Sequence, residues 1–372
     1  MAATGTAPIQ ISLAAIPAGA ATDDLLIAIL QANARVSDLI FSPGRKFQVQ
    51  VNGEFVPVDM PGSSCLTADD TRRIASDLIG NNKAAVSLLR EQGYCDVSYA
   101  LPGVARFRVN IFIQRGSCAV VMRVIPTVVP DFKSLGLPER LREISSLHDG
   151  LVLVTGPRGA GKSSTLAALL NHINESTTCH IITIEDPIEF LHNHKRATVH
   201  QRELHSDTPS VAHAMRAALR QAPNVIAVGE LKDRETIELA LDAAETGHVV
   251  LSTLNTVNAQ KTVERMVGAF PTAEQAAIRE RLARMLRFLI CQRLVPRQQD
   301  GRRVAVFEIL KSDSQALDGL LSGNEVSREN LDDLDVEIER LVRAGVVSPE
   351  IALAHAVDPR ELAKRLGRRT EP

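Results

Sequence analysis

The chain has 372 residues, 45% hydrophobic and 23% charged, and its 42 basic against 44 acidic side chains give a formal net charge of -2. That length exceeds what one hydrophobic core organises and predicts two domains, and the composition is that of a globular protein rather than a disordered or fibrous one. The charge balance supplies no global attraction to nucleic acid or anionic lipid, and 3% aromatic residues with no Trp argue against a stacking single-strand binder and an aromatic-belted membrane protein.

In chain order, the mildly apolar run Ile11 to Ala21 follows no Lys or Arg and contains Pro17, which speaks against a secretory signal. No stretch of 18 apolar residues predicts a transmembrane helix, and the chain reads as cytoplasmic. Residues 47 to 58 alternate apolar and polar about Asn52-Gly53, which predicts a β-hairpin. Thr67 to Leu89 has helical spacing, with Ile74, Leu78 and Ile79 on one face, and Ala105 to Val124 alternates again. Residues 1–125 therefore read as an α+β domain with a mostly antiparallel sheet. Pro126, Pro130 and Pro138 mark an expected linker into a second domain, 126–372.

From residue 150, short apolar runs alternate with helical segments, which predicts parallel strands with helical crossovers. The candidate strands are Leu151 to Val154, His180 to Ile184, Val225 to Val228 and Val249 to Ser252. After Pro271 the pattern reads as helical, giving an expected C-terminal helical segment over about 272–372 with a charged stretch near 324–340. The five cysteines include no CxxC pair, which disfavours a zinc site or a disulfide framework, and Cys118 and Cys291 read as small buried hydrophobes.

Gly156-Pro-Arg-Gly-Ala-Gly-Lys162-Ser163 matches G-x-x-x-x-G-K-[ST], between a strand-like run and Leu166, Leu169, Leu170 and Ile173 at helical spacing. The glycines let backbone N–H groups curl around phosphate oxygens, and the helix N-terminus adds its positive end. Gly156, Pro157, Arg158, Gly159, Ala160, Gly161, Lys162, Ser163 and Ser164 are the candidate ATP-binding residues. Lys162 would neutralise the β- and γ-phosphates, and Ser163 would ligate Mg²⁺. Carboxylates for the metal shell and the attacking water belong at strand ends beside the loop. Glu185 and Glu189 follow one candidate strand, and Glu230 follows another. His248 opens a strand whose far end carries Thr253, Asn255 and Thr256, groups able to hydrogen-bond a γ-phosphate.

The Walker A run, Thr183-Ile-Glu-Asp-Pro-Ile-Glu-Phe190, the Walker B-like Val228-Gly-Glu230 and Ala244-Glu-Thr-Gly-His248 resemble, in order and spacing, the four signature boxes of secretion ATPases. His200-Gln-Arg-Glu203, Ala217-Ala-Leu-Arg220 and Cys291-Gln-Arg-Leu-Val-Pro-Arg297 narrow the resemblance to the PilT/PilU branch, the type IV pilus retraction motors. It extends from about residue 24 to 310.

The resemblance implies a PAS-like α+β domain followed by a RecA-like P-loop NTPase domain with a mainly parallel sheet, in an α/β chain that assembles as a homohexameric ring. It implies ATP hydrolysis with Mg²⁺ held by Ser163 and Glu230, water positioned by Glu230 with help from Glu185, sensing by His248, and phosphate-facing Arg108 and Arg123. The implied partners are an inner-membrane pilus platform protein and a paralogous motor. The chain is then peripheral to that membrane, and the work done is pilus retraction in twitching motility.

Asn255 stands at the family's second histidine, Asn224 where an acidic residue commonly opens the Walker B segment, and Arg158 at an unusual Walker A position. The Ala-Ile-Arg-Asn box of retraction motors is not recognisable around Ser314 to Leu321. Two further readings stand beside retraction. One is a pilus or type II secretion assembly ATPase, although those chains are usually longer and carry a four-cysteine zinc element that this one lacks. The other is a slowly hydrolysing ring subunit that regulates a partner motor.

Overall fold

The computed structural model describes residues 11–12, 21–33, 35–51, 54–59, 65–125, 128–299, 302–312, 319, 321 and 334–367. Pro17, Asn52-Gly53, Pro126 and nearly all of the region around Ser314 to Leu321 lie outside them. The chain divides into two compact units, residues 1–127 and 128–372.

The first unit carries a seven-stranded sheet built from β1 (Ile11–Ser12), β2 (Val36–Phe41), β3 (Gln48–Val51), β4 (Glu54–Asp59), β5 (Tyr94–Leu101), β6 (Ala105–Gln114) and β7 (Ser117–Ile125). Its order is β1-β4-β3-β2-β7-β6-β5, antiparallel except for the β1–β4 pair. The strands β3 and β4 flank Asn52-Gly53 and pair as the alternation predicts, Val49 opposite Val56. Ala105 to Val124 is the hairpin β6–β7. Helices α1 (Thr22–Ala32), α2 (Ala68–Ile79) and α3 (Lys83–Gln92) cover one face. The helical stretch expected from Thr67 to Leu89 is thus two helices, broken at Gly80 with φ +54°. Leu26, Ile29, Ile74 and Leu78 lie in one buried cluster with Leu39, Val49, Phe107 and Met122 of the sheet.

The second unit is an α/β sandwich on a seven-stranded sheet. It opens with α4 (Phe132–Leu135) and a 3₁₀ helix over Glu139–Ser146. The strands are β8 (Gly150–Thr155), β9 (His180–Glu185), β10 (Thr198–Glu203), β11 (Val225–Val228), β12 (Val249–Leu254), β13 (Leu286–Pro296) and β14 (Arg303–Lys311), in the order β10-β9-β11-β12-β8-β13-β14. All neighbours are parallel except β13 and β14. A strand covered on both faces reads as a continuous apolar run, which is why β8, β9, β11 and β12 sit on the four candidate strands.

Alternate residues of these strands feed two cores. Leu151, Leu153, Ile226, Val228, Val250 and Leu254 pack on α6 (Val211–Ala218), α7 (Arg234–Glu245), α8 (Ala259–Gly268) and α9 (Gln275–Met285). Val152, Val154, Val225, Ala227 and Leu251 pack on α5 (Lys162–Ser176) and on Phe132, Leu141 and Ile144. The end of the chain adds α10 (Leu334–Arg343), α11 (Pro349–His355) and α12 (Pro359–Arg365) to the first of these cores.

The expectation of helix throughout 272–372 is corrected: Leu286–Pro296 and Arg303–Lys311 form an antiparallel strand pair. Leu286-Arg-Phe-Leu-Ile-Cys is apolar on both faces of the sheet, so it shows no two-residue period, while α9 before it shows the helical one. Cys291 is buried as expected, but Cys118 is only half-buried.

Candidate functional site

The loop from Gly156 to Gly161 joins the end of β8 to the start of α5. A Cβ on Gly156 would lie 2.3 Å from the Gln292 carbonyl oxygen, so close backbone approach demands glycine there. Gly161 is the N-cap of α5, with φ +86° and no side-chain cap. By contrast, Ser210, Asp233 and Asn258 cap α6, α7 and α8 with their side chains. The first turn of α5 keeps its donors and its positive end for an anion.

Gln292 on β13 braces this loop from behind. Its Nε2 donates to Ala160 O at 2.8 Å, and its Oε1 accepts from Thr165 Oγ at 2.6 Å. Neighbouring side chains on a strand face opposite ways, and the guanidinium of Arg293 donates instead to the carbonyls of His355 and Val257.

Lys162 Nζ donates to Gly156 O at 2.9 Å and Pro157 O at 3.0 Å. Burial pulls its ammonium below the usual lysine range, opposed by the carboxylates of Glu230 and Glu189. Around it opens a cleft of about 290 Å³ that Lys162, Ser163, Glu185, Glu189, Glu230 and Asn255 help to line. The cleft lies at the C-terminal edge of the parallel strands, where ligand sites of open α/β sheets form.

Ser163 Oγ donates to Glu189 Oε1 at 3.0 Å, and Asn255 Nδ2 to Glu230 Oε1 at 2.5 Å. Glu185 Oε1 accepts from Thr183 Oγ at 2.6 Å and Gln201 Nε2 at 2.9 Å. Burial pushes the Glu185 carboxyl above the usual range, and those two donors with the Glu189 N–H work the other way. Lys232 and Asp186 pair at 3.7 Å and also line the cleft.

The structure thus gathers Arg158, Gly159, Lys162, Ser163, Glu185, Glu189 and Glu230 around one cleft. Thr253 and Asn255 join them, although Thr253 Oγ is committed to Gly229 O at 2.6 Å. It does not bring His248 there. That residue precedes β12, with its Nδ1 3.0 Å from Ala243 O, at the opposite end of the strand from Asn255. Arg108 and Arg123 are exposed cross-strand neighbours on β6 and β7, and Arg123 Nε pairs with Asp38 at 2.8 Å.

Four supporting residues carry no motif of their own in a nucleotide site: Gln201, Glu203, His192 and Gln292. For three of them the only sequence signal is position, Gln201 and Glu203 in His200-Gln-Arg-Glu203 and Gln292 in Cys291-Gln-Arg, and His192 has none. Among the described residues no helix is long and apolar enough to cross a membrane, and no cluster of three or more His, Cys, Asp or Glu is arranged to hold a metal.

Residues 97–326 match the family model described as type II/IV secretion system protein. The chain is 40% identical over 333 residues to the type IV pilus retraction ATPase PilT of Pseudomonas aeruginosa, covering 87% of this chain and 95% of that one. It is 40% identical over 318 residues to a twitching motility protein of Neisseria gonorrhoeae, covering 83% of each. The crystal structure of the pilus retraction motor PilT with bound ADP superposes with a TM-score of 0.82 at 36% identity, covering 91% of this chain and 99% of that chain.

Proposed function

The chain belongs to the type II/IV secretion system protein family, and from that premise we propose that it is an ATP-hydrolysing motor that powers type IV pilus retraction. The observation that carries the reading is the cleft itself: an uncapped helix start, a buried lysine and three glutamates meet at one sheet edge. The names of the relatives, a retraction ATPase and a twitching motility protein, supply the direction of the work.

In this reading the backbone N–H groups of 156–163 and Lys162 bind the phosphates of ATP. Glu230, steadied by Asn255, orients the attacking water and accepts its proton. Glu185 and Glu189 hold the polar side of the cleft. Ser163 and Glu230 offer oxygen donors, a hydroxyl and a carboxylate, which suit a hard cation such as Mg²⁺. Ser163 and Glu230 would hold it together with substrate phosphates. Bound there, Mg²⁺ neutralises charge on the phosphoryl oxygens.

The homohexamer, the phosphate-facing Arg108 and Arg123, the sensing role of His248, the platform protein, the paralogous motor and the seat at the inner membrane belong to the same proposal and are carried by the family resemblance alone. The test is Mg²⁺-dependent ATP turnover measured with the mass of the assembly. Turnover by a hexamer that is lost in Lys162→Ala and Glu230→Gln supports the motor. Tight ATP binding without turnover supports the regulatory ring subunit instead, which Asn255 in place of a titratable histidine favours.

A further inference from the structure

The segment 186–192 leaves β9, carries Glu189 to Ser163, and returns along the edge strand β10. Gln201, on β10 opposite Thr183, meets it with two hydrogen bonds and Glu185, just before it, with a third. Its Nε2 donates to Glu185 Oε1 at 2.9 Å and to Phe190 O at 2.9 Å, and its Oε1 accepts the His192 N–H at 2.8 Å. The backbone groups settle the amide orientation, because Phe190 O requires a donor and His192 N–H an acceptor. Two residues along the same face of β10, Glu203 Oε2 accepts the Ile188 N–H at 3.0 Å.

We propose that Gln201 is a positioning residue for the hydrolytic site, holding the carboxylates of Glu185 and Glu189 in place by tying their segment to the edge strand. The inference rests on the ATPase reading above. Glutamine is the side chain that meets all three demands at once. A carboxylate there would face Glu185 and Phe190 O with acceptors, and an aliphatic side chain would take this partner from Phe190 O and the His192 N–H and one of two donors from Glu185 Oε1. With Glu189 on one side of Phe190 and His192 on the other, loosening the bonds at 190 and 192 frees Glu189 to leave Ser163. Misplacement of catalytic groups by about 1 Å is enough to cost roughly a hundredfold in rate.

The test compares the full chain with Gln201→Leu in two measurements. Amide exchange over 186–192 reads the segment whether or not ATP is turned over. It is expected to speed up at 188–192 while exchange in α7 and β12 is unchanged. Steady-state turnover is expected to fall between about tenfold and a hundredfold in kcat, with KM for ATP within about threefold. In a cycle with Glu185→Gln the two losses are expected to be less than multiplicative, since both act through one carboxyl.

Unchanged exchange over 186–192, unchanged kcat, or independent losses in the cycle each overturn the inference. If Gln201→Leu does not fold, Gln201→Glu carries the same measurements, because it keeps the size and the acceptor for His192 N–H while removing both donors. A parent chain without turnover overturns the ATPase reading and leaves the exchange measurement to decide on Gln201.

Discussion

Asn255 Nδ2 donates to Glu230 Oε1 at 2.5 Å, linking the C-terminal ends of the adjacent parallel strands β12 and β11. The carboxylate assigned to the attacking water is thereby held by an amide, whose donor capacity does not change with pH. Replacing that donor with a second carboxylate in Asn255→Asp sets like charges against each other, and ATP turnover is expected to fall by on the order of tenfold or more. Asn255→His keeps an N–H in reach and is expected to stay within about threefold of the parent. Steady-state ATPase rates of the two variants check the ordering.

Two loop glycines differ in crowding: Gly156 combines a close contact with φ +155°, and Gly159 has the positive φ alone. Gly156→Ala drives a Cβ to 2.3 Å from a backbone oxygen and is expected to abolish binding of a fluorescent ATP analogue. At Gly159 nothing lies within 4 Å of the added Cβ, but φ is +77°. Gly159→Ala is expected to retain binding and lose roughly 1 kcal/mol of stability. Equal binding by both variants contradicts the crowding argument.

Gln292 is 3% exposed and Thr165 fully buried. Gln292→Leu leaves the Thr165 hydroxyl and Ala160 O without their partner, and a stranded buried polar group costs about 1–3 kcal/mol. The expected result is a loss of roughly 2–4 kcal/mol in urea unfolding together with weaker ATP binding, because the same bonds shape the loop. A stability loss with unchanged ATP affinity would separate the brace from the site.

Burial, with the Lys195 charge, lowers the His192 imidazole from 6.5 to about 4. The unfolded chain binds the proton more readily between those values, so this histidine's contribution to stability is present above about pH 6.5 and is lost as pH falls toward 4. The loss from this group amounts to about 2–3 kcal/mol. His192→Asn is expected to flatten that part of the profile, measured as urea midpoints between pH 7 and pH 4. A profile as steep as the parent's would place the titration elsewhere.

Much of the second unit was legible because its central strands are buried on both sides and its phosphate loop is contiguous. What sequence reading missed depends on contacts between distant segments. Edge strand β10, Thr-Val-His-Gln-Arg-Glu, has Val199 as its one aliphatic residue and shows no strand pattern. Gln292 lies 132 positions from Ala160, and nothing local marks it as part of the loop. His248 shows how sequence proximity and position along a strand differ. It is close to Asn255 in sequence, yet an extended strand rises about 3.3 Å per residue and carries it more than roughly 20 Å from the cleft edge.

The position of β13 has a mechanical consequence. The loop grips it at Gln292 from the α5 side, and the carbonyl of His355 is held by Arg293 from the other. Gln292 and Arg293 are joined by one peptide unit, so the bonds that shape the phosphate loop and the bond to the last residue of α11 depend on the same short stretch of β13 backbone. A shift of β13 at this point would disturb the loop and the C-terminal helical layer together.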